Sequence, residues 1–178
     1  MIHSQASSLR EQYIEYGFLA DLCREMWRRG QAVDVLHCHT DRSGYDVVLE
    51  VDGIQRHVQL KSSFDGAKTS RQKINVRLSG KPSGCIIWIR FDPANLKQTS
   101  YLWFGAPPGE PLPGIGERIA KHSKGDREGT KAERPDIRVV NRGQFNKIET
   151  ISALTDLLFG RPDALIPQSC PTQNAAAS

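Results

Sequence analysis

The chain has 178 residues, with 24 Lys and Arg against 20 Asp and Glu, a formal net charge of +4 and a hydrophobic fraction of 38%. That balance describes a globular protein with a core to bury and excludes disorder throughout. No apolar run approaches the ~18 residues of a membrane span, residues 1–10 lack the pattern of a secretory signal, and the modest positive charge is compatible with a polyanionic partner without requiring one.

The first element is a helix over residues 9–29, with Ser8 and Glu11 spaced as a capping box and Gly30 placed to end it. At helical spacing Phe18, Leu19, Leu22 and Met26 form one apolar stripe. Glu15 projects near the centre of that stripe, where a carboxylate needs a reason. Strands follow over 33–39, 44–51 and 54–62, the last two flanking Asp52-Gly53, a two-residue hairpin signal because both turn positions need positive φ. Residues 71–78 fit a strand or a short helix. Residues 85–91 are nearly all apolar and predict a strand buried on both faces, and residues 101–104 predict another.

Ten of the 25 Gly and Pro residues fall between Gly105 and Gly129, so that stretch reads as loop. Residues 121–147 hold 8 Lys and Arg against 4 Asp and Glu, an excess equal to the net charge of the whole chain. A strand over 137–140, a helix over 148–159 and a disordered tail over 161–178 complete the expected order. The sum is one α/β domain over 1–160 with a mixed central sheet and a helix at each end. Cys23, Cys38, Cys85 and Cys170 lie far apart with no CxxC pair, which predicts a cytoplasmic protein with reduced thiols rather than a zinc knuckle or disulfide framework.

The hairpin carries the chemistry. With the bend at Asp52-Gly53, Asp46 is expected opposite Gln59, and alternation puts Asp46, Gln59 and Lys61 on one side. The other side holds Val47, Leu49, Val51, Ile54, Val58 and Leu60, broken only by Arg56. A solvated hairpin face would also be polar, but here a carboxylate, an amide and an ammonium sit together. Asp46 and Gln59 can supply oxygen ligands to Mg²⁺, with Mn²⁺ as a substitute. Lys61 can orient the attacking water or hold the scissile phosphate, and Glu15, brought in by the helix, can complete the ligand set.

A helix with an inward Glu15, then Gly44-Tyr45-Asp46, a hairpin, then Val58-Gln59-Leu60-Lys61-Ser62-Ser63 resembles the PD-(D/E)xK nuclease superfamily, which includes many restriction endonucleases and Holliday-junction resolvases. The resemblance covers about a quarter of the chain. It implies a restriction-endonuclease-like sheet and a metal-dependent DNA nuclease, with Asp46 as the metal-binding Asp, Lys61 as the motif Lys and Glu15 as the helical Glu. Tyr45 stands where the motif has Pro. Gln59 stands where it has Asp or Glu, which removes one negative charge. The alternative is a nuclease-shaped module without activity that binds nucleic acid or a protein. Asp46→Ala and Lys61→Ala are expected to abolish cleavage and leave the fold intact.

Arg71 and Lys73 are candidate phosphate contacts, and Lys121, Lys124, Arg127 and Lys131 of the basic stretch, continued by Arg134, Arg138 and Arg142, could follow a nucleic-acid backbone. Trp88 and Trp103 read as core, whereas Trp27 is the tryptophan that suits a partner surface. His37, His39 and His122 show no ligand spacing, and Glu50 and His57 read as surface. Monomer and homodimer both stay open.

Overall fold

The computed structural model describes residues 2–38, 43–122, 129 and 131–161. Helix α1 runs Ile2–Arg28, so it begins about two turns before the expected start. Neither Pro nor Gly occurs before Gly17, and nothing stops the helix at Ser8. Ser8 and Glu11 therefore lie inside it, and the capping box does not form. At the other end Gly30 adopts φ 71°, its amide bonds Trp27 O at 3.0 Å and the Gln31 amide bonds Met26 O at 3.0 Å. This is the Schellman closure that a glycine permits.

Six strands make the central sheet: β1 Asp34–His37, β2 Val47–Val51, β3 Ile54–Phe64, β5 Gly84–Phe91, β6 Gln98–Gly105 and β9 Asn146–Ile148, in the order β1-β2-β3-β5-β6-β9. Strands β3 and β5 are parallel and every other pair is antiparallel, which is the mixed sheet expected. Ile14, Phe18, Leu22 and Met26 of α1 pack on one face with Val47, Leu49, Val58, Ile87 and Ile89. The second helix, α2 (Ile151–Phe159), joins them through Leu154 and Leu158. It starts later than expected: Ile148 closes β9, and the Thr150 hydroxyl accepts the Ala153 amide at 3.2 Å as the cap.

A second sheet of three strands, β4 Arg71–Asn75, β8 Glu133–Asn141 and β7 Ile119–Lys121, covers part of the other face in the order β4-β8-β7. Ile74, Leu78 and Val140 meet Ile86, Trp88, Leu102 and Phe104 there. The 71–78 segment thus resolves as a strand followed by a 3-10 turn at Val76–Gly80. Within the Gly- and Pro-rich stretch, Leu112 and Ile115 plug into this second core and β7 adds a strand. Strand β5 is buried along its whole length, as its composition predicts. Arg56, the interruption on the apolar face of the hairpin, is fully buried, donates to Ala106 O at 2.9 Å and lies over the Trp103 ring. Trp88 and Trp103 are core residues and Trp27 is exposed. No helix among the described residues is long and apolar enough to cross a membrane. Residues 162–178 of the expected tail lie outside the described residues.

The C-terminal turn of α1 is fastened to α2 by charge. Buried Glu25 accepts from Arg28 at 2.7 Å and Arg29 at 2.7 Å, and Arg29 also bonds Asp156 at 2.7 Å and Ser152 O at 2.8 Å. Hydrogen bonds from Arg28, opposed by burial and reinforced by Arg29, pull the Glu25 carboxyl from the ordinary 4.5 down to about 2. A depressed carboxyl stabilises the fold above its unfolded value, and that stability is lost as pH falls through the folded one. Unfolding followed by circular dichroism should therefore show stability declining from about pH 4.5 towards pH 2, and Glu25→Gln should flatten that limb.

Candidate functional site

The site begins with the hairpin turn. Asp52 and Gly53 take φ 49° and 81°, Val51 pairs with Ile54, and the ladder runs to Val47 opposite Val58. There the expected register breaks. The Asp46 amide bonds Val58 O at 2.9 Å, so Asp46 and Val47 both face Val58 and a β-bulge replaces the expected Asp46–Gln59 pair. The Asp46 carbonyl accepts the Cys38 amide at 2.8 Å. Its carboxylate Oδ2 accepts the Leu60 amide at 2.6 Å, standing in for the strand that has left. Asp46 therefore holds the fold as well as offering charge, which corrects the expectation that removing its side chain leaves the fold untouched.

Why β2 ends there is visible at Gly44. It adopts φ 81°, and a Cβ on it would meet the Leu78 amide at 2.9 Å. Only glycine lets the chain lie against the 3-10 turn in this way. Pinned there, the segment before Val47 diverges from β3 and leaves a notch in the edge of the sheet.

Two clefts border this notch. Gln59 and Lys61 stand in register with Ile86 and Trp88, whose side chains pack in the second core. They therefore project on the small-sheet face. Asp46, Gln59 and Lys61 line one cleft of about 350 Å³ together with Tyr45, Lys73 and Arg134. From the α1 face, Glu15 and Glu11 line a second cleft of about 250 Å³ that also contains Asp46, Lys61 and Ser62. Asp46 and Lys61 border both. Asp46 and Lys61 thus lie between Gln59 in the first cleft and Glu15 in the second, and Gln59 and Glu15 share no cleft.

Glu15 bonds His37 Nδ1 at 3.1 Å. Burial raises its carboxyl above the ordinary range, His37 opposes the rise, and the nearby Asp46 carboxylate adds to it. Two acids that repel across a partly dry cleft are relieved by a cation between them. Gln59 is 8% exposed, and among the described residues its Oε1 is a buried acceptor with no hydrogen-bond partner. Gln59 shares its cleft with the Asp46 carboxylate, and an amide oxygen and a carboxylate are hard oxygen donors, which suit Mg²⁺ with waters and phosphate oxygens filling the remaining positions. Among the described residues no group of three or more His, Cys, Asp or Glu is arranged to hold a metal ion.

Of the expected nucleic-acid contacts, Arg71, Lys73 and Lys121 line a groove of about 530 Å³ together with Lys61 and Arg118. Lys131 is exposed and does not line that groove, and Lys124 and Arg127 lie outside the described residues. Sequence reasoning missed Glu11, His37 and Arg118. A continuous helix from Ile2 exposes the first, because spacing alone then puts Glu11 one turn before Glu15. The other two carry no local signal.

No protein-family model matches the chain, and no curated protein matches it. Among solved structures it is similar to a bacterial homing endonuclease, I-Ssp6803I, at 22% identity and a TM-score of 0.31, over 57% of this chain and 64% of that one. The match spans less than two thirds of that chain.

Proposed function

We propose that the chain is a Mg²⁺-dependent deoxyribonuclease, with Asp46, Gln59 and Glu15 holding the metal and Lys61 serving the reacting phosphate. The observation that carries this reading is the cleft that Gln59 lines with Asp46 and Lys61, together with a buried Gln59 Oε1 that has no hydrogen-bond partner among the described residues. A buried acceptor left unpaired costs about 1–3 kcal/mol, and a bound cation removes that cost. The resemblance of the Asp46, Gln59 and Lys61 pattern to the PD-(D/E)xK motif points the same way.

When bound, Mg²⁺ supplies charge to a phosphoryl oxygen and to the leaving oxygen. The residues of the chain do the rest. Asp46 and Glu15 set the negative potential that retains a divalent ion, and Gln59 adds an oxygen without charge. Lys61, beside both clefts, holds a phosphate oxygen or orients the water that attacks it. Gln59 costs the site one charge relative to the motif, which is the feature favouring a binding-only module instead.

Incubating the protein with duplex, single-stranded and branched DNA in Mg²⁺ or Mn²⁺ tests the activity. Cleavage that EDTA abolishes is expected; none on any substrate with either metal sinks the reading. Thermal melting tests the site separately. Mg²⁺ at about 100 times its Kd should stabilise the wild type by about 2.7 kcal/mol. Gln59→Glu should bind Mg²⁺ more tightly, because it adds a ligand charge. A melting temperature indifferent to both metals in wild type and Gln59→Glu leaves only the binding module.

A further inference from the structure

We propose that the groove from Lys61 to Lys121 seats the phosphodiester backbone of duplex DNA on one side of the scissile bond, and that Arg118 is one of its phosphate-binding residues. The proposal rests on the nuclease reading for what happens at the notch, but the groove makes its own case. Its walls carry Lys61, Arg71, Lys73, Arg118 and Lys121, and no acid among the described residues lines it. Lys121 has Glu133 at 4.0 Å; Lys61, Arg71, Lys73 and Arg118 have no ion pair among the described residues. Gathering like charges on a folded surface costs free energy that a polyanion recovers.

The groove is continuous with the candidate active site, since Lys61 and Lys73 line both. In the other direction the cleft passes Asn75 and Arg134 into a groove where Glu133 and Asp136 offset Arg77 and Arg134. Among the described residues, uncompensated positive charge therefore lies on one side, which gives the bound strand a preferred exit. The walls are also built to hold position. The carbonyl of Arg118 accepts the Val139 amide at 2.8 Å, fixing Arg118 to β8, and Lys73 Nζ donates to Lys121 O at 3.3 Å, tying β4 to β7.

No aromatic side chain among the described residues lines this groove. Single-strand binders stack bases on aromatic rings, and without such a platform the available contacts are charge to phosphate. These fix position and carry no base preference.

Fluorescence anisotropy with labelled blunt 20-base-pair duplexes of two unrelated sequences, in EDTA, reads the groove apart from catalysis. Arg71→Ala and Arg118→Ala should each weaken binding equally for both sequences and lower the slope of log K against log salt by about 0.9, or about 1.8 together. Arg118→Lys should keep the slope. Unchanged slopes, a loss confined to one sequence, or tighter binding of the matching single strand overturns the proposal. If these slopes move as expected while the wild type cuts no DNA with either metal, the nuclease reading fails and the groove stands. If the wild type cuts DNA and both variants bind as it does, the reverse holds.

Discussion

Asp46→Asn is expected to lower metal-dependent DNA cleavage by about 10³-fold or more, while leaving the folded state within about 1 kcal/mol of wild type. The first part follows from charge: removing a ligand charge costs several kcal/mol of transition-state stabilisation, and each ~1.4 kcal/mol is tenfold in rate. The second follows from geometry. Asp46 Oδ2 accepts the Leu60 amide at 2.6 Å at the point where β2 has left β3, and the asparagine amide oxygen can accept the same bond. Asp46→Ala should lose activity too, but it orphans the Leu60 amide and should also cost about 1–3 kcal/mol in urea denaturation. Lys61→Met, at the residue proposed to serve the phosphate, should resemble Asp46→Asn rather than Asp46→Ala. Full activity in Asp46→Asn with loss in Asp46→Ala would mean that the residue serves the fold alone.

The contrast between these variants marks where the sequence stops being legible. Asp52-Gly53 announces its turn because positive φ at two successive positions is a local demand that few residues meet. The apolar run of β5 and the Phe18, Leu22, Met26 stripe are equally local, and each lands in the core as expected. The bulge at Asp46 is not local. It depends on the Cys38 amide claiming the Asp46 carbonyl and on Gly44 lying against Leu78. These are contacts of long sequence separation with no pattern to betray them.

Helix α1 shows a different failure. Ser8 and Glu11 have the spacing of a cap, yet a chain without Pro or Gly before Gly17 simply continues as helix through them. A capping signature says where a helix could start, and only a breaker says where it must. The second sheet was hidden for a third reason. Strand β7 is three residues long and sits in a stretch dominated by Gly and Pro, so it exists only because β8 pairs with it. Arg118 enters the basic groove through that pairing. The residues of the notch were readable from type and order; the walls that frame it come from tertiary assembly.

Those walls hang on Trp88, and Trp88→Ala is the substitution with the largest expected cost in stability, about 3–5 kcal/mol, or roughly 6–20 °C in Tm for a chain of this size. The ring is fully buried, meets Phe145 edge-on at 5.4 Å and donates its Nε1–H to Ser63 Oγ at 2.7 Å. It also stands beside Lys61 in the parallel register of β3 and β5. Trp88→Phe should cost less, because it keeps an aromatic contact with Phe145 while Arg90 still donates to the Ser63 hydroxyl. The damage should be uneven. Trp88 belongs to the core under the small sheet, whereas α1, α2 and the hairpin share the core on the opposite face. Hydrogen exchange in Trp88→Ala should therefore accelerate first in β4, β7 and β8, with β2 and α1 protected longer. DNA affinity through Arg71 and Arg118 should fall before metal affinity at Asp46 does. Uniform acceleration across both faces would show that the two cores unfold as one unit, and the basic groove could then not loosen independently of the notch.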